Sequence, residues 1–317
     1  MQGKKNHFIY ILKKLLIFLI VALGVVTVSF SIQLFSDVDP AELLVRKQSV
    51  FATEEQIEIV REELGLNDPF HERYFNYIGG LFRGDLGISL INKEPVTENI
   101  KEVLPVTIAL VSMSMLWVVL FTIVFSAISV IRKNGIIDNV IRVICIIGIC
   151  VPSFWLALML LVAFAIEIPI FNVIADGSFK SLILPSLALA IPIAGISIRV
   201  LRASVINELK SDYVTYAKAR GFSNSQIIFG EVLRNALPAS ITLFAQYCAA
   251  LFGVSALVES VFSIGGLGLY LVEASERMDI YGFSGAVLVA AMLFVFFNIL
   301  ADIVSGLICP TYRRKNI

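Results

Sequence analysis

Three acidic side chains interrupt otherwise apolar runs: Glu167, Glu259 and Asp302. Placing an ionisable group at the centre of a bilayer costs about 2.5–3.5 kcal/mol on insertion scales, so each needs a reason to be there. Asn298 and Asp302 are four residues apart and share one helical face. They could line a polar path, but hydrogen bonding between neighbouring helices is the simpler reading. Thr242, Gln246, Ala249, Ala250 and Gly253 recur at helical spacing, with Glu259 beyond them. Thr242, Gln246, Gly253 and Glu259 are therefore candidates for the wall of a translocation path. The same small residues would equally suit close helix packing.

The chemistry that is missing narrows the field. No GxxxxGK[ST] phosphate loop exists, and the one Gly-Lys pair, Gly3-Lys4, sits at the extreme terminus. There are 2 histidines, His7 and His71, and 4 cysteines (Cys145, Cys150, Cys248, Cys309), none in a CxxC or metal spacing. The cysteines read as small buried hydrophobes. No nucleophile–base pair is visible. We therefore expect no catalytic residue, no metal site and no bound cofactor in this chain, and a net charge of zero gives no reason to expect a nucleic acid partner.

A second chemistry-bearing stretch is the polar loop 205–236. Ser211 or Asp212 is placed to cap a short helix running to Arg220, with Gly221 as the left-handed residue that ends it. Ser223-Asn224-Ser225-Gln226 has the pattern of a capping box for a second helix through Ile227, Ile228, Val232 and Leu233, expected to close before Pro238. On the first helix Tyr213, Tyr216, Ala217 and Arg220 share a side. Aromatic, basic and small residues together suit a docking surface for another protein. They also suit an interfacial helix lying on anionic headgroups.

The elements that must position these residues follow from composition. The chain has 58% hydrophobic and 16% charged residues, with mean hydropathy +0.87, far from the soluble average of roughly 45–50% and about 25%. Six stretches are long enough to cross a hydrocarbon core as helices: roughly 10–32, 105–131, 140–168, 181–204, 237–262 and 283–308. Pro152, Pro185 and Pro192 should interrupt regular helix bonding there. Most of the 25 basic residues gather on one side: Lys4, Lys5, Lys13 and Lys14; Arg132, Lys133 and Arg142; Arg199, Arg202, Lys210, Lys218, Arg220 and Arg234; and Arg313, Arg314 and Lys315. That side should be cytoplasmic, together with both termini. Segment 33–103, where acidic residues outnumber basic ones, should be outside. Ser29 and Ser31 loosely fit a cleavage site, but the first apolar run is longer than a signal-peptide core, so it reads as a retained span.

Segment 33–103 reads as a small folded piece. Thr53-Glu54-Glu55-Gln56 is a capping box before Ile57, Val60 and Leu64, and Gly65 ends that helix. Asp68-Pro69 should open the next, with Phe70, Tyr74, Tyr77, Ile78 and Leu81 as its apolar face and Gly84 at its close. Such amphipathic helices must pack on the spans or on a partner. The organisation expected is therefore 1–32 as terminus and first span, 33–103 outside, 104–308 as a five-helix core containing loop 205–236, and 309–317 as a cytoplasmic tail.

Several motifs in order now carry a resemblance. Asp212-Tyr213-Val214, Ala217, Ala219 and Gly221, followed by Leu233-Arg234-Asn235-Ala236-Leu237-Pro238, are similar to the cytoplasmic loop of permeases from the dipeptide/oligopeptide/nickel class of ATP-binding-cassette importers. Leu81-Phe82-Arg83-Gly84-Asp85-Leu86-Gly87-Ile88-Ser89, Val151-Pro152-Ser153-Phe154-Trp155 and Val258-Glu259-Ser260-Val261-Phe262-Ser263 resemble other segments of that family, as do Asn298, Asp302 and Pro310. The long first external segment is similar to the first of its two permease types. The chain departs from the family at Ile264-Gly265-Gly266-Leu267-Gly268, where an aromatic-Pro pair is usual, and at Arg277-Met278-Asp279-Ile280-Tyr281.

The resemblance implies an all-α, type I importer permease with six transmembrane helices in a bacterial plasma membrane. It implies an ATPase-docking coupling helix at Asp212, Tyr213, Tyr216, Ala217, Ala219, Arg220 and Gly221. It also implies a second homologous permease subunit, two ATP-binding subunits holding ATP and Mg, and an extracellular solute-binding protein. Its cargo would be di- or oligopeptides, or alternatively nickel or a metal chelate. An ion-coupled carrier or channel is the rival of another class, although no Asp/Glu/His relay or inverted symmetry is evident for it.

Overall fold

The computed structural model describes residues 16–17, 19–31, 39–48, 52–131 and 133–308. The basic residues Lys4, Lys5, Lys13, Lys14, Arg132, Arg313, Arg314 and Lys315 lie outside them, as do His7, Cys309, Pro310 and the whole 309–317 tail. Helices account for nearly all the regular structure, and among the described residues the only β pairing is an isolated bridge between Ile88 and Pro95. The chain divides into two compact units, 1–107 with 265–293 and 108–264 with 294–317.

Among the described residues four helices are long and apolar enough to cross a membrane: α5 (Val96–Ile131), α8 (Ile183–Glu208, led in by a 3-10 turn at Phe179–Leu182), α11 (Leu233–Phe262) and α13 (Ile280–Ile308). The span expected at 140–168 is instead a bent pair, α6 (Ile136–Cys150) and α7 (Ser153–Leu161, continued by a π turn over Val162–Glu167), meeting at 102°. Val151 is extended and Pro152 holds its fixed φ, so the helix stops and restarts there. A shorter apolar helix, α1 (Leu19–Ser31), is the described part of the first expected span.

Helix α8 continues through Pro192, which has no N–H to donate to Ala188 O, and Pro185 stands in its first turn, where no intrahelical donor is lost. One proline expectation needs correcting. The helix expected to close before Pro238 does not: α10 (Asn224–Ile227) passes through a π turn at Ile228–Val232 into α11, which contains Pro238.

In the first unit α2 (Pro40–Gln48), α3 (Glu54–Glu63) and α4 (Phe70–Leu81) fold as small amphipathic helices. Thr53 and Gln56 form the anticipated capping box, and Gly65 takes φ +64. Helix α4 starts one residue later than Asp68-Pro69 suggested, with Pro69 itself at the cap position and no side-chain cap bond. The apolar face of α4 packs around Phe30 of α1, with Tyr77 buried between Phe30 and Tyr281 of α13. A further short helix, α12 (Leu267–Glu276), is held at its start by Leu267 N–H donating to Thr107 Oγ1 at 2.8 Å. Buried Asp279 accepts from Leu90 N–H at 3.2 Å and Gly282 N–H at 3.0 Å, pinning the 87–96 turn to the start of α13.

In the second unit α8 is the central helix, packed on α6, α7 and α11. In its most apolar stretch 61% of the residues are buried, against 33% in α11 and 11% in α13, where Met292, Phe294, Phe296, Leu300 and Ile303 stay exposed for lipid or a partner. Helices α6 and α8 approach closely because Gly195 faces Cys145 O and Gly148 faces Ile191; a Cβ on Gly195 would lie 2.8 Å from that carbonyl oxygen.

Candidate functional site

The polar loop after α8 folds as expected into a helix–turn–helix. Helix α9 (Asp212–Ala219) starts after Ser211, but the Ser211 hydroxyl does not cap it and turns to Glu208 Oε2 at 3.4 Å. At the other end Gly221 N–H donates to Lys218 O at 2.9 Å and Phe222 N–H to Ala217 O at 3.2 Å, with Gly221 at φ +85. This is the paired closure of a Schellman motif, which only a residue at ease in left-handed geometry completes cheaply. Ser223 and Gln226 then form the second capping box.

The face expected on α9 divides in two. Val214 is 1% exposed and, with Tyr213 and Ala217, packs into a cluster built from Val130 of α5, Leu201 and Val205 of α8, Ile227 and Ile228, and Val232, Leu233 and Ala236 at the entry to α11. Tyr213 Oη donates to Glu208 Oε2 at 3.1 Å. Burial, above all, pushes that phenol above its ordinary value, so it stays a donor. Asp212, Tyr216, Ala219, Arg220 and Gly221 face away from the cluster and are exposed. Tyr213 and Ala217 therefore seat the helix instead of presenting it: Val214 needs burial, and a helix can bury only one stripe.

The exposed side gains residues that helical spacing on α9 alone did not reveal. Tyr216 is 72% exposed and Phe222 45% exposed. The Arg220 guanidinium lies 5.4 Å from the Phe222 ring centroid, a cation–π contact across the Gly221 turn. Because Phe222 lies beyond the helix, it needed the geometry of the left-handed turn to place it. Tyrosine and arginine together are the residues most often found to dominate protein–protein contacts.

Beside the cluster lies a charged hub that sequence reasoning missed. Asp138 of α6 is fully buried. It accepts from Arg202 Nε at 2.8 Å and Arg202 Nη2 at 2.7 Å, from Asn134 N–H at 2.8 Å, and from the Ser129 hydroxyl. Arg202 Nε also reaches Ser129 Oγ at 2.9 Å. Two parallel bonds from a guanidinium fix both distance and plane. Ser129 and Arg202 are chain neighbours of Val130 and Leu201 in the cluster, so α5, α6 and α8 are tied together beside the seat of α9. The available signal was an acidic residue inside an apolar helix whose expected flank carries arginines.

The four candidate path residues are only partly brought together. Gln246 and Gly253 are exposed on one stripe of α11 and Thr242 is half-buried one turn before Gln246. Glu259 is fully buried. It stands six residues after Gly253, on another side of the helix. Asn298 donates to Phe294 O of its own helix at 2.8 Å instead of bridging to a neighbour.

Comparison with known proteins adds identity to this geometry. Residues 120–314 match the family described as "Binding-protein-dependent transport system inner membrane component", and residues 7–111 match its N-terminal family, "Binding-prot-dependent transport system membrane comp, N-term". The chain is similar to the glutathione transport system permease protein GsiC of Escherichia coli O6:H1, 32% identical over 277 residues that cover 87% of this chain and 90% of the relative. The proteins of the same name from Escherichia coli K12 and Pectobacterium atrosepticum are 31% and 32% identical over the same shares.

Proposed function

Because the chain belongs to the family of binding-protein-dependent transport system inner membrane components, we propose that it is one of two membrane-spanning subunits of an ATP-driven importer whose cargo is a short peptide. It is an inner-membrane transport permease and not an enzyme. The observation that carries the docking part of this reading is α9 itself: one side is locked into the cluster at the ends of α5, α8 and α11, and the other offers Tyr216, Arg220 and Phe222.

In this reading loop 205–236 and both termini face the cytoplasm and segment 33–103 faces outside. Two ATP-binding subunits, holding ATP and Mg, grip the exposed side of α9 and of its counterpart in a second, homologous permease. Their closure on ATP displaces α9 as a rigid body, and the cluster carries the motion into α8 and α11. A solute-binding protein delivers cargo at the outer side. The name of the relatives supports a peptide cargo, since glutathione is a tripeptide; nickel or a metal chelate finds no such support. Gln246 and Gly253, with Thr242, remain the candidates for the path; Glu259 is assigned to the packing of α11.

Co-purification from native membranes tests the reading. The chain should bring down a second six-span permease and ATP-binding subunits. Tyr216→Asp and Gly221→Trp should lose the ATP-binding subunits while keeping the second permease. Undiminished recovery of those subunits with both variants would overturn the assignment of α9.

A further inference from the structure

The first unit contains a cavity of about 590 Å³, within the roughly 300–1,000 Å³ typical of small-molecule sites. Arg73 and Tyr77 of α4 line it, with Asp68 from the turn before α4, Asp85 from the turn after it, and Tyr281. Two polar groups of its lining residues have no partner among the described residues. Tyr77 is 5% exposed, yet among those residues nothing hydrogen-bonds its hydroxyl, nor the buried Arg73 Nε.

A buried hydroxyl left unpaired carries a desolvation penalty that phenylalanine would escape. The ring of Tyr77 already packs on Phe30 at 5.1 Å and Tyr281 at 5.5 Å between centroids, so packing does not call for the hydroxyl. Burial, followed by the nearby Tyr281 and Asp85, pushes the phenol well above its ordinary value, so it remains a donor. Asp68 lines the same cavity, and among the described residues its carboxylate makes no hydrogen bond or ion pair, to Arg73 or to any other group. The other charges at the cavity are already engaged: Lys93 pairs with Glu63 at 2.7 Å, and Asp85 Oδ1 accepts from Gly87 N–H at 2.8 Å. What remains is a guanidinium and a phenol donor, suited to an anion, and a separate carboxylate suited to a cation.

We propose that this cavity binds a small zwitterion of short-peptide size, its free carboxylate taken by Arg73 and the Tyr77 hydroxyl and its free ammonium by Asp68. The site names the class of solute the permease meets before the spans, and it rests on the importer reading for its place on the outer side. That Arg73, Tyr77 and Asp68 line one cavity, and that Tyr77 Oη and Arg73 Nε lack partners among the described residues, is independent of that reading.

Equilibrium binding of radiolabelled trialanine to the full chain in nanodiscs, without ATP-binding subunits, tests the cavity alone. Trialanine should bind, and both N-acetyl-trialanine and trialanine amide should bind about 10-fold or more weaker, as expected when a charged hydrogen bond is lost. Arg73→Gln should weaken trialanine by about 10–100-fold and leave the already weak amide unchanged; Asp68→Asn should act on trialanine but not on the acetylated form. Tyr77→Phe, which keeps the ring packing, should weaken trialanine by about 2–10-fold without lowering the thermal midpoint. Equal binding of free and blocked peptides, no saturable binding of trialanine, or a Tyr77→Phe chain with unchanged affinity would overturn the proposal. Loss of the ATP-binding subunits on co-purification bears on the importer reading and leaves the peptide-binding result standing.

Discussion

Asp138 keeps its charge out of water only because Arg202 meets it with two parallel bonds and Ser129 and Asn134 N–H fill its remaining lone pairs. Removing one partner from such a pair strands a buried charge, at a cost of about 3–5 kcal/mol. Arg202→Gln should therefore lower the thermal midpoint of the purified chain sharply. Arg202→Lys should recover only part of it, because an ammonium cannot supply the planar fork. The Asp138→Asn/Arg202→Gln double variant should be more stable than Arg202→Gln alone; a double variant as unstable as the sum of the singles would mean the two groups do not act as a pair. Gly221 poses a different residue-scale problem. No heavy atom lies within 4 Å of a Cβ placed there, so a side chain meets no steric barrier within the chain, and the difficulty is φ +85. A β-branched residue in left-handed geometry costs about 1–2 kcal/mol, whereas asparagine tolerates it. Gly221→Val should speed amide exchange at Gly221 and Phe222, where the Schellman bonds close, and Gly221→Asn should change it little.

Elements whose determinants are local were legible in the sequence. The capping boxes at Thr53/Gln56 and Ser223/Gln226 and the left-handed glycines Gly65 and Gly221 are set within four or five residues, and each stands where spacing put it. The apolar face of α4 was legible for the same reason. What was not legible depends on distant partners. Asp138 and Arg202 lie 64 residues apart, and along the chain each looks like a flanking charge of its own span. The side of α9 that turns inward is chosen by the cluster, not by the helix, so Tyr213 and Ala217 were expected on the wrong side. Pro152 announced a break but not a 102° bend, since the angle is set by what α6 and α7 pack against. The contact between α6 and α8 shows the same dependence. Glycine at 195 gains its meaning from a carbonyl 50 residues away, at Cys145. Gly195→Val should force these helices apart at a cost of about 1–3 kcal/mol or more, read as a lower thermal midpoint in detergent. A midpoint equal to that of the unaltered chain would show that α6 and α8 can separate freely.

At the scale of the whole molecule, function depends on which side of the membrane each charged segment faces. Lys133, Arg142, Arg199, Arg202, Lys210, Lys218, Arg220 and Arg234 flank the spans around α9, while α3 and its surroundings are rich in glutamate and aspartate. Basic residues near span ends are retained on the cytoplasmic side, so the chain as a whole should insert with α9 inside and α3 and α4 outside. The ATP-binding subunits could then reach Tyr216 and Arg220, and the cavity at Arg73 and Tyr77 would open to the side from which cargo arrives. Single cysteines in a background where Cys145, Cys150, Cys248 and Cys309 are replaced decide the matter. A cysteine replacing exposed Asn76 should react with a membrane-impermeant maleimide in intact spheroplasts. A cysteine replacing exposed Lys218 should react only after the membrane is opened. The reverse pattern would place the docking surface away from any source of ATP, and both the importer mechanism and the outward-facing peptide site would fall together.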